Sequence, residues 1–257
     1  MNLLVLKLIL TPLLIGVATL AARRRGHAVG GWVAGLPLTS GPISFFLALE
    51  QGPRFAAGAA SATLLGLAGV CAFCLAYRWM LTVAAPWAAA AAGLVAYLLV
   101  ALLLSFLSVG VAVATALVLV FLVLVMIAVG RPAAANTHTL SPWWDLPLRM
   151  TVATAMVLAI TGAATLLGPR WAGLLSPFPV FACVMTMFAH HASGSAAAHR
   201  LLRGVIIGSF AFASFFVVVA HGLISMGVVV TYVVAALTAL VVNIFTLLTV
   251  TDSKRTM

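Results

Sequence analysis

Gly30-Gly31-Trp32-Val33-Ala34-Gly35-Leu36-Pro37-Leu38-Thr39-Ser40-Gly41-Pro42 returns in outline as Pro169-Arg170-Trp171-Ala172-Gly173-Leu174-Leu175-Ser176-Pro177-Phe178-Pro179. Each version has a Trp near its start, passes through Ala-Gly-Leu and breaks into Ser and paired prolines. Each lies inside a segment apolar enough to enter a bilayer. A proline inside a helix removes one N–H and clashes with the carbonyl four residues back. In hydrocarbon, a carbonyl left without a partner costs several kcal/mol. A helix-breaking motif present twice at membrane depth is the sequence mark of a transport site built between repeats.

The rest of the chain agrees with a membrane setting. Of its 257 residues, 65% are hydrophobic and 6% charged, and the mean hydropathy is +1.28. A soluble domain of this size has no way to hide so much apolar surface. The formal charge of +10 comes from 13 basic and 3 acidic residues. The basic residues gather at the ends of apolar runs, so they read as topology signals and not as a nucleic-acid surface. The first run, from Leu3 to Ala22, contains Lys7 and is followed by Arg23-Arg24-Arg25. It reads as a membrane helix and not as a cleaved leader. Cys71, Cys74 and Cys183 all fall in apolar segments, where disulfides are not expected.

At about 20 residues per crossing, the expected spans are 3–22, 30–49, 55–77, 81–102, 108–130, 148–168, 171–190, 201–220 and 225–249. The uncharged run 81–130 would reach about 75 Å as one helix, so it is divided near Ser105 to Gly110. With nine crossings, Arg23, Arg24, Arg25, Arg78, Arg131, Arg149, Arg200, Arg203, Lys254 and Arg255 share one side. Lys7, Arg54 and Arg170 take the other. The positive-inside rule then sets the N-terminus out and the C-terminus in. The expected fold is an all-α polytopic membrane protein of about nine transmembrane helices in two inverted repeats, each with a Pro-broken helix. Residues 1–130 form the first repeat with an extra helix, 131–147 a cytosolic connector, and 148–257 the second repeat. Trp32 and Trp171 are 139 residues apart, and Gly69 and Gly208 keep that spacing. Five spans in the first half turn the second copy over.

The second motif, Trp171 to Ala182, is followed by His190 and then by Leu202-Arg203-Gly204-Val205-Ile206-Ile207-Gly208-Ser209. In this it resembles the GlpM-like family of small bacterial membrane proteins, over most of residues 148–249. The likeness is weaker in 1–106, where Pro37, Pro42 and Glu50 depart from the family's pattern. The resemblance implies a multi-pass protein of the bacterial inner membrane with a duplicated ancestor. It implies no activity.

The candidate solute-binding residues are Pro37, Thr39, Ser40, Gly41, Pro42, Ser176, Pro177 and Pro179. Glu50 is the one acid at the edge of a span, so it is a proton-coupling candidate; the alternative is an interfacial pair with Arg54 at i, i+4. His190 and His191, followed by His199, Arg200 and Arg203, are gating candidates, or else an ordinary basic boundary. Adjacent histidines face different sides of a helix and have no carboxylate or thiol beside them, so no metal site and no cofactor is expected. Glu50, Asp145 and Asp252 are the only acids, too few for paired-carboxylate or metal-bridged chemistry, so an enzyme is not expected. The expectation is a secondary transporter or exporter of a small polar or anionic solute. The alternative is a non-enzymatic membrane subunit or assembly factor of an envelope complex. The expected partners are the lipid bilayer and a small solute, with no nucleic acid. Gly204 and Gly208 form a small-residue face that suits a homodimer contact without requiring one.

Overall fold

The computed structural model describes residues 3–38, 40–107, 109–131, 144–167 and 169–252. Ten helices make up the described residues. They are α1 (Leu3–Arg25), α2 (His27–Ala34), α3 (Ser40–Gln51), α4 (Pro53–Met80), α5 (Pro86–Ser105), α6 (Val111–Val129), α7 (Asp145–Leu167), α8 (Pro169–Leu175), α9 (Val180–Ser225) and α10 (Val228–Asp252). The connector residues 132–143, Thr39, and the basic tail with Lys254 and Arg255 lie outside the described residues.

Among the described residues, five apolar stretches are long enough to cross a membrane: Pro53–Met80, Pro86–Ser105, Val111–Val129, Gly173–Ser225 and Val228–Thr246. Two of them are central. About two thirds or more of the most apolar window of Pro53–Met80 and of Gly173–Ser225 is buried, at 67% and 72%. The other three bury only 28%, 22% and 22% of theirs and turn Leu98, Leu102, Val120, Leu124, Leu237 and Val241 outward. An apolar exterior around an apolar core is what lipid demands of a multi-pass bundle.

Each expected span has a helix, with three adjustments. The split of the long uncharged run holds: α5 stops at Ser105 and α6 starts at Val111. Span 81–102 begins later, at Pro86, because proline takes the first helical turn without loss of a hydrogen bond. The connector is shorter on its C-terminal side, since α7 already starts at Asp145. Nine crossings were expected, and five stretches among the described residues meet the length and hydropathy required: spans 171–190 and 201–220 fall together in Gly173–Ser225, span 30–49 is broken into α2 and α3, and spans 3–22 and 148–168 are not among the five. The pieces α2, α3 and α8 have 8, 12 and 7 residues. At about 1.5 Å per residue none is long enough to cross alone.

α9 runs for 46 residues but reverses at Gly194, whose φ of 79° is open to glycine and costly for other residues. The reversal can be followed in the packing. Ser40 donates a hydrogen bond to the Ser176 carbonyl, and the next residue, Gly41, sits against the Phe215 ring. Residues just before the first half of α9 and late in the second half therefore flank one turn of α3. The first half ends near Gly194, at the bundle end that also holds the C-terminal ends of α4 and α6.

Candidate functional site

The two proline motifs meet. Gly35 to Leu38 separate α2 from α3, and Ser176 to Pro179 separate α8 from α9. Ser40 Oγ donates to the Ser176 carbonyl oxygen at 3.1 Å, joining the start of one broken helix to the turn of the other. Both breaks interrupt helical hydrogen bonding. In the first, Leu36 N–H reaches back only to Val33 O at 3.2 Å, and the ladder restarts with Gly41 N–H on Pro37 O at 2.9 Å. In the second, Ser176 N–H bonds Gly173 O at 3.1 Å and Phe178 N–H bonds Leu175 O at 3.0 Å. The ladder resumes with Cys183 N–H on Pro179 O at 2.7 Å.

The carbonyls freed in the second break are not left bare. Tyr97 of α5, buried, donates its hydroxyl to Leu174 O at 2.7 Å. Thr63 of α4 holds its hydroxyl 2.9 Å from Ala59 O of its own helix and 3.3 Å from Gly173 O, and Ser40 takes Ser176 O. All three donors belong to the first half of the chain. The first broken helix receives a tyrosine in its turn: Ser44 of α3 and Tyr232 of α10 share a hydrogen bond of 2.6 Å. Tyr232 also lies edge-on to Phe45, ring centres 5.1 Å apart. The backbone oxygens expected to stand open between the motifs are thus partly claimed by hydroxyls, because hydrocarbon surroundings penalise any carbonyl without a donor.

Glycines set how closely the pieces approach. α2 lies on the second half of α9, and a methyl at Gly35 would collide with the Val205 carbonyl and with Gly208. α8 lies on α4, and a methyl at Gly66 would collide with the Leu174 carbonyl and with Pro177. Shifted by the 139 residues that separate Trp32 from Trp171, the pair Gly35–Val205 becomes Leu174–Gly66. Each short helix rests on the long helix of the other half at the equivalent place.

The candidate residues divide accordingly. Ser40, Gly41, Pro37, Ser176, Pro177 and Pro179 all lie at or beside the junction; Thr39 lies outside the described residues. Pro42 does not end the helix: it lies in the first turn of α3, one residue after the Gly41 N–H that restarts the ladder, and it is exposed. Glu50 is exposed at the far end of α3. Its helical pairing with Arg54 does not form, because Gly52 at φ 86° ends α3 and starts α4 on a new axis. His190 packs against Tyr77, ring centres 6.0 Å apart, with Tyr77 Oη 3.4 Å from His190 Nδ1. His191 faces outward. The two histidines do not end their helix, which runs on to Gly194. A shallow, mostly apolar groove of about 410 Å³ lies elsewhere, between α1 and α7, lined by Pro12, Met150, Thr151, Thr154, Ala155 and Leu158.

One charged cluster was missed in the sequence. Asp145 is buried and accepts from Arg149 Nε at 3.0 Å and Arg149 Nη2 at 3.1 Å, and from Arg23 Nη2 at 2.9 Å. The Arg149 guanidinium also stands 4.9 Å over the Phe188 ring of α9. This ties α1, α7 and α9 together at the basic end. The i, i+4 spacing of Asp145 and Arg149 was the available signal; the partner from α1 was invisible without the fold.

The chain matches no family model, and no curated protein or solved structure is significantly similar to it.

Proposed function

We propose that this chain is a secondary transporter or exporter of a small polar or anionic solute, with two inverted repeats that alternate access about their broken helices. The supporting observation is reciprocity. Each broken helix is seated on the long helix of the other half, by contacts that keep the 139-residue spacing, and the two breaks touch through Ser40 and Ser176. Rocking of one half on the other separates Ser40 from Ser176. That frees a hydroxyl and a carbonyl, with Gly41, Pro177 and Pro179 around them, for a solute with both donors and acceptors. The described arrangement is then the closed junction of the cycle. Arginine asymmetry favours an N-terminus outside and a C-terminus inside a bacterial inner membrane.

Transport is tested on purified chain in liposomes, with currents recorded on a supported membrane against a panel of small organic anions and amino acids. At least one solute is expected to give a current. Ser40→Ala is expected to cut it about tenfold, the worth of one well-placed hydrogen bond, and Pro42→Ala to leave it unchanged. No current with any solute, or equal currents in Ser40→Ala and wild type, removes the proposal. The second reading, a non-enzymatic subunit of an envelope complex, is favoured by the pairing of the Leu174 and Ser176 carbonyls within the protein. It predicts no flux and a stable partner on affinity purification.

A further inference from the structure

We propose that the basic end of the bundle, where α4, α6 and the Gly194 turn of α9 converge, binds a phosphate group carried by an anionic lipid.

The cluster is assembled from three helices. The carbonyls at the end of α6 have no helical donors, and α9 supplies them: His199 Nε2 lies 2.7 Å from Val129 O, and Arg203 Nη1 donates to Gly130 O. Those bonds hold both side chains beside Arg131. Arg78, in the last turn of α4, lies within electrostatic range of His199, as do Arg200 and Arg203. Arg131 lies within range of Arg203. Four guanidinium groups and an imidazole thus share one small region.

Among the described residues, no carboxylate is paired with Arg78. The chain has three acids. Asp145 is already shared by Arg23 and Arg149. Glu50 lies beside the start of α4, at the opposite end, and the Asp252 side chain lies outside the described residues. Arg78 carries the sharpest sign of a missing partner. It is half-buried, its Nε is fully enclosed, and it makes no hydrogen bond or ion pair among the described residues. A partly desolvated guanidinium with none of its donors used is costly. A phosphate offers several acceptor oxygens and bidentate geometry for arginine.

Depth identifies the carrier. Trp79, beside Arg78, and Trp87, in the first turn of α5, are 70% and 71% exposed. Two indoles turned outward at the same end of the bundle mark the interface where headgroups lie. A lipid phosphate sits at that level, next to Arg78.

The test uses the full chain in uncharged detergent. Native mass spectrometry and thermal unfolding are followed during titration with phosphatidylglycerol, phosphatidylcholine and inorganic phosphate. Phosphatidylglycerol is expected to stay bound and to raise Tm, and phosphatidylcholine to do neither. Arg78→Gln and Arg203→Gln are each expected to weaken phosphatidylglycerol binding about tenfold. Arg54→Gln, at the opposite end, is expected to bind it as the wild type does. Should Arg78→Gln fail to fold, Arg78→Lys keeps the charge, loses the fork and is still expected to bind more weakly. A Tm increase with inorganic phosphate that Arg78→Gln abolishes supports the phosphate site and moves its ligand to a soluble phosphate compound. Equal binding of the two lipids, or wild-type affinity in both Arg78→Gln and Arg203→Gln, overturns the proposal.

Discussion

Tyr97 is fully buried and spends its one hydroxyl on the Leu174 carbonyl. That carbonyl lost its helical donor where Pro177 and Pro179 interrupt the ladder. Tyr97→Phe keeps the ring, which packs edge-on to Phe178 at 4.9 Å, and removes only the donor. The expected cost is about 1–3 kcal/mol, the penalty for a buried acceptor left alone. Thr63→Val removes a hydroxyl that Gly173 O shares with the nearer Ala59 O, and Gly173 O keeps the Ser176 N–H. The loss there should be smaller. Thermal unfolding of the two variants in detergent checks the order. A Thr63→Val protein less stable than Tyr97→Phe contradicts this account of the junction. Ser40, Ser176 and the prolines were legible in the sequence as a break. Tyr97 and Thr63 were not, because a hydroxyl in an apolar run shows no sign of which backbone it reaches across the bundle.

Among the elements, α9 is the one whose boundaries the sequence reported least well. Its composition continues from Val180 to Ser225 with only Ser193-Gly194-Ser195 to mark the turn. The structure bends the chain back there through a positive φ. Gly194→Ala puts a Cβ into that positive-φ, extended-ψ conformation at a cost of about 1–3 kcal/mol. Gly58→Ala is the comparison: it is helical and has open space around it, so the substitution should stabilise slightly. Guanidinium or heat unfolding that ranks Gly194→Ala at or above Gly58→Ala contradicts the turn. The expected starts of two other spans, at 55 and 81, missed the prolines that open their helices. Pro53 and Pro86 open α4 and α5, and arginines close α1 and α4. These are local rules of backbone chemistry and need no knowledge of the fold.

At the scale of the whole molecule, the halves are interleaved and not merely side by side. α2 packs on α9, α8 packs on α4, and Asp145 of the second half holds Arg23 of the first. Each broken helix packs on its own half, α2 on α1, α3 on α4 and α8 on α7, and also on the long helix of the other half. Expressed alone, 1–130 and 131–257 are each expected to be degraded or aggregated. Expressed together as separate chains, they are expected to co-purify through a tag on either one. Stable, monodisperse behaviour of 1–130 alone counts against the interleaving.

Hydropathy and residue spacing by themselves determined that this chain is helical, that its long runs suit a bilayer, and that two segments are broken by proline. Those properties depend on side chains and backbone a few residues apart. Only the tertiary structure decided that the breaks touch, that hydroxyls from distant helices reach the carbonyls they release, and that Asp145 pairs with Arg23 of α1. Each of these is a contact between residues far apart in sequence. A bilayer-compatible apolar pattern is nearly blind to such pairings, because many rotations of a greasy helix satisfy lipid equally well, and only close packing and hydrogen bonding choose among them.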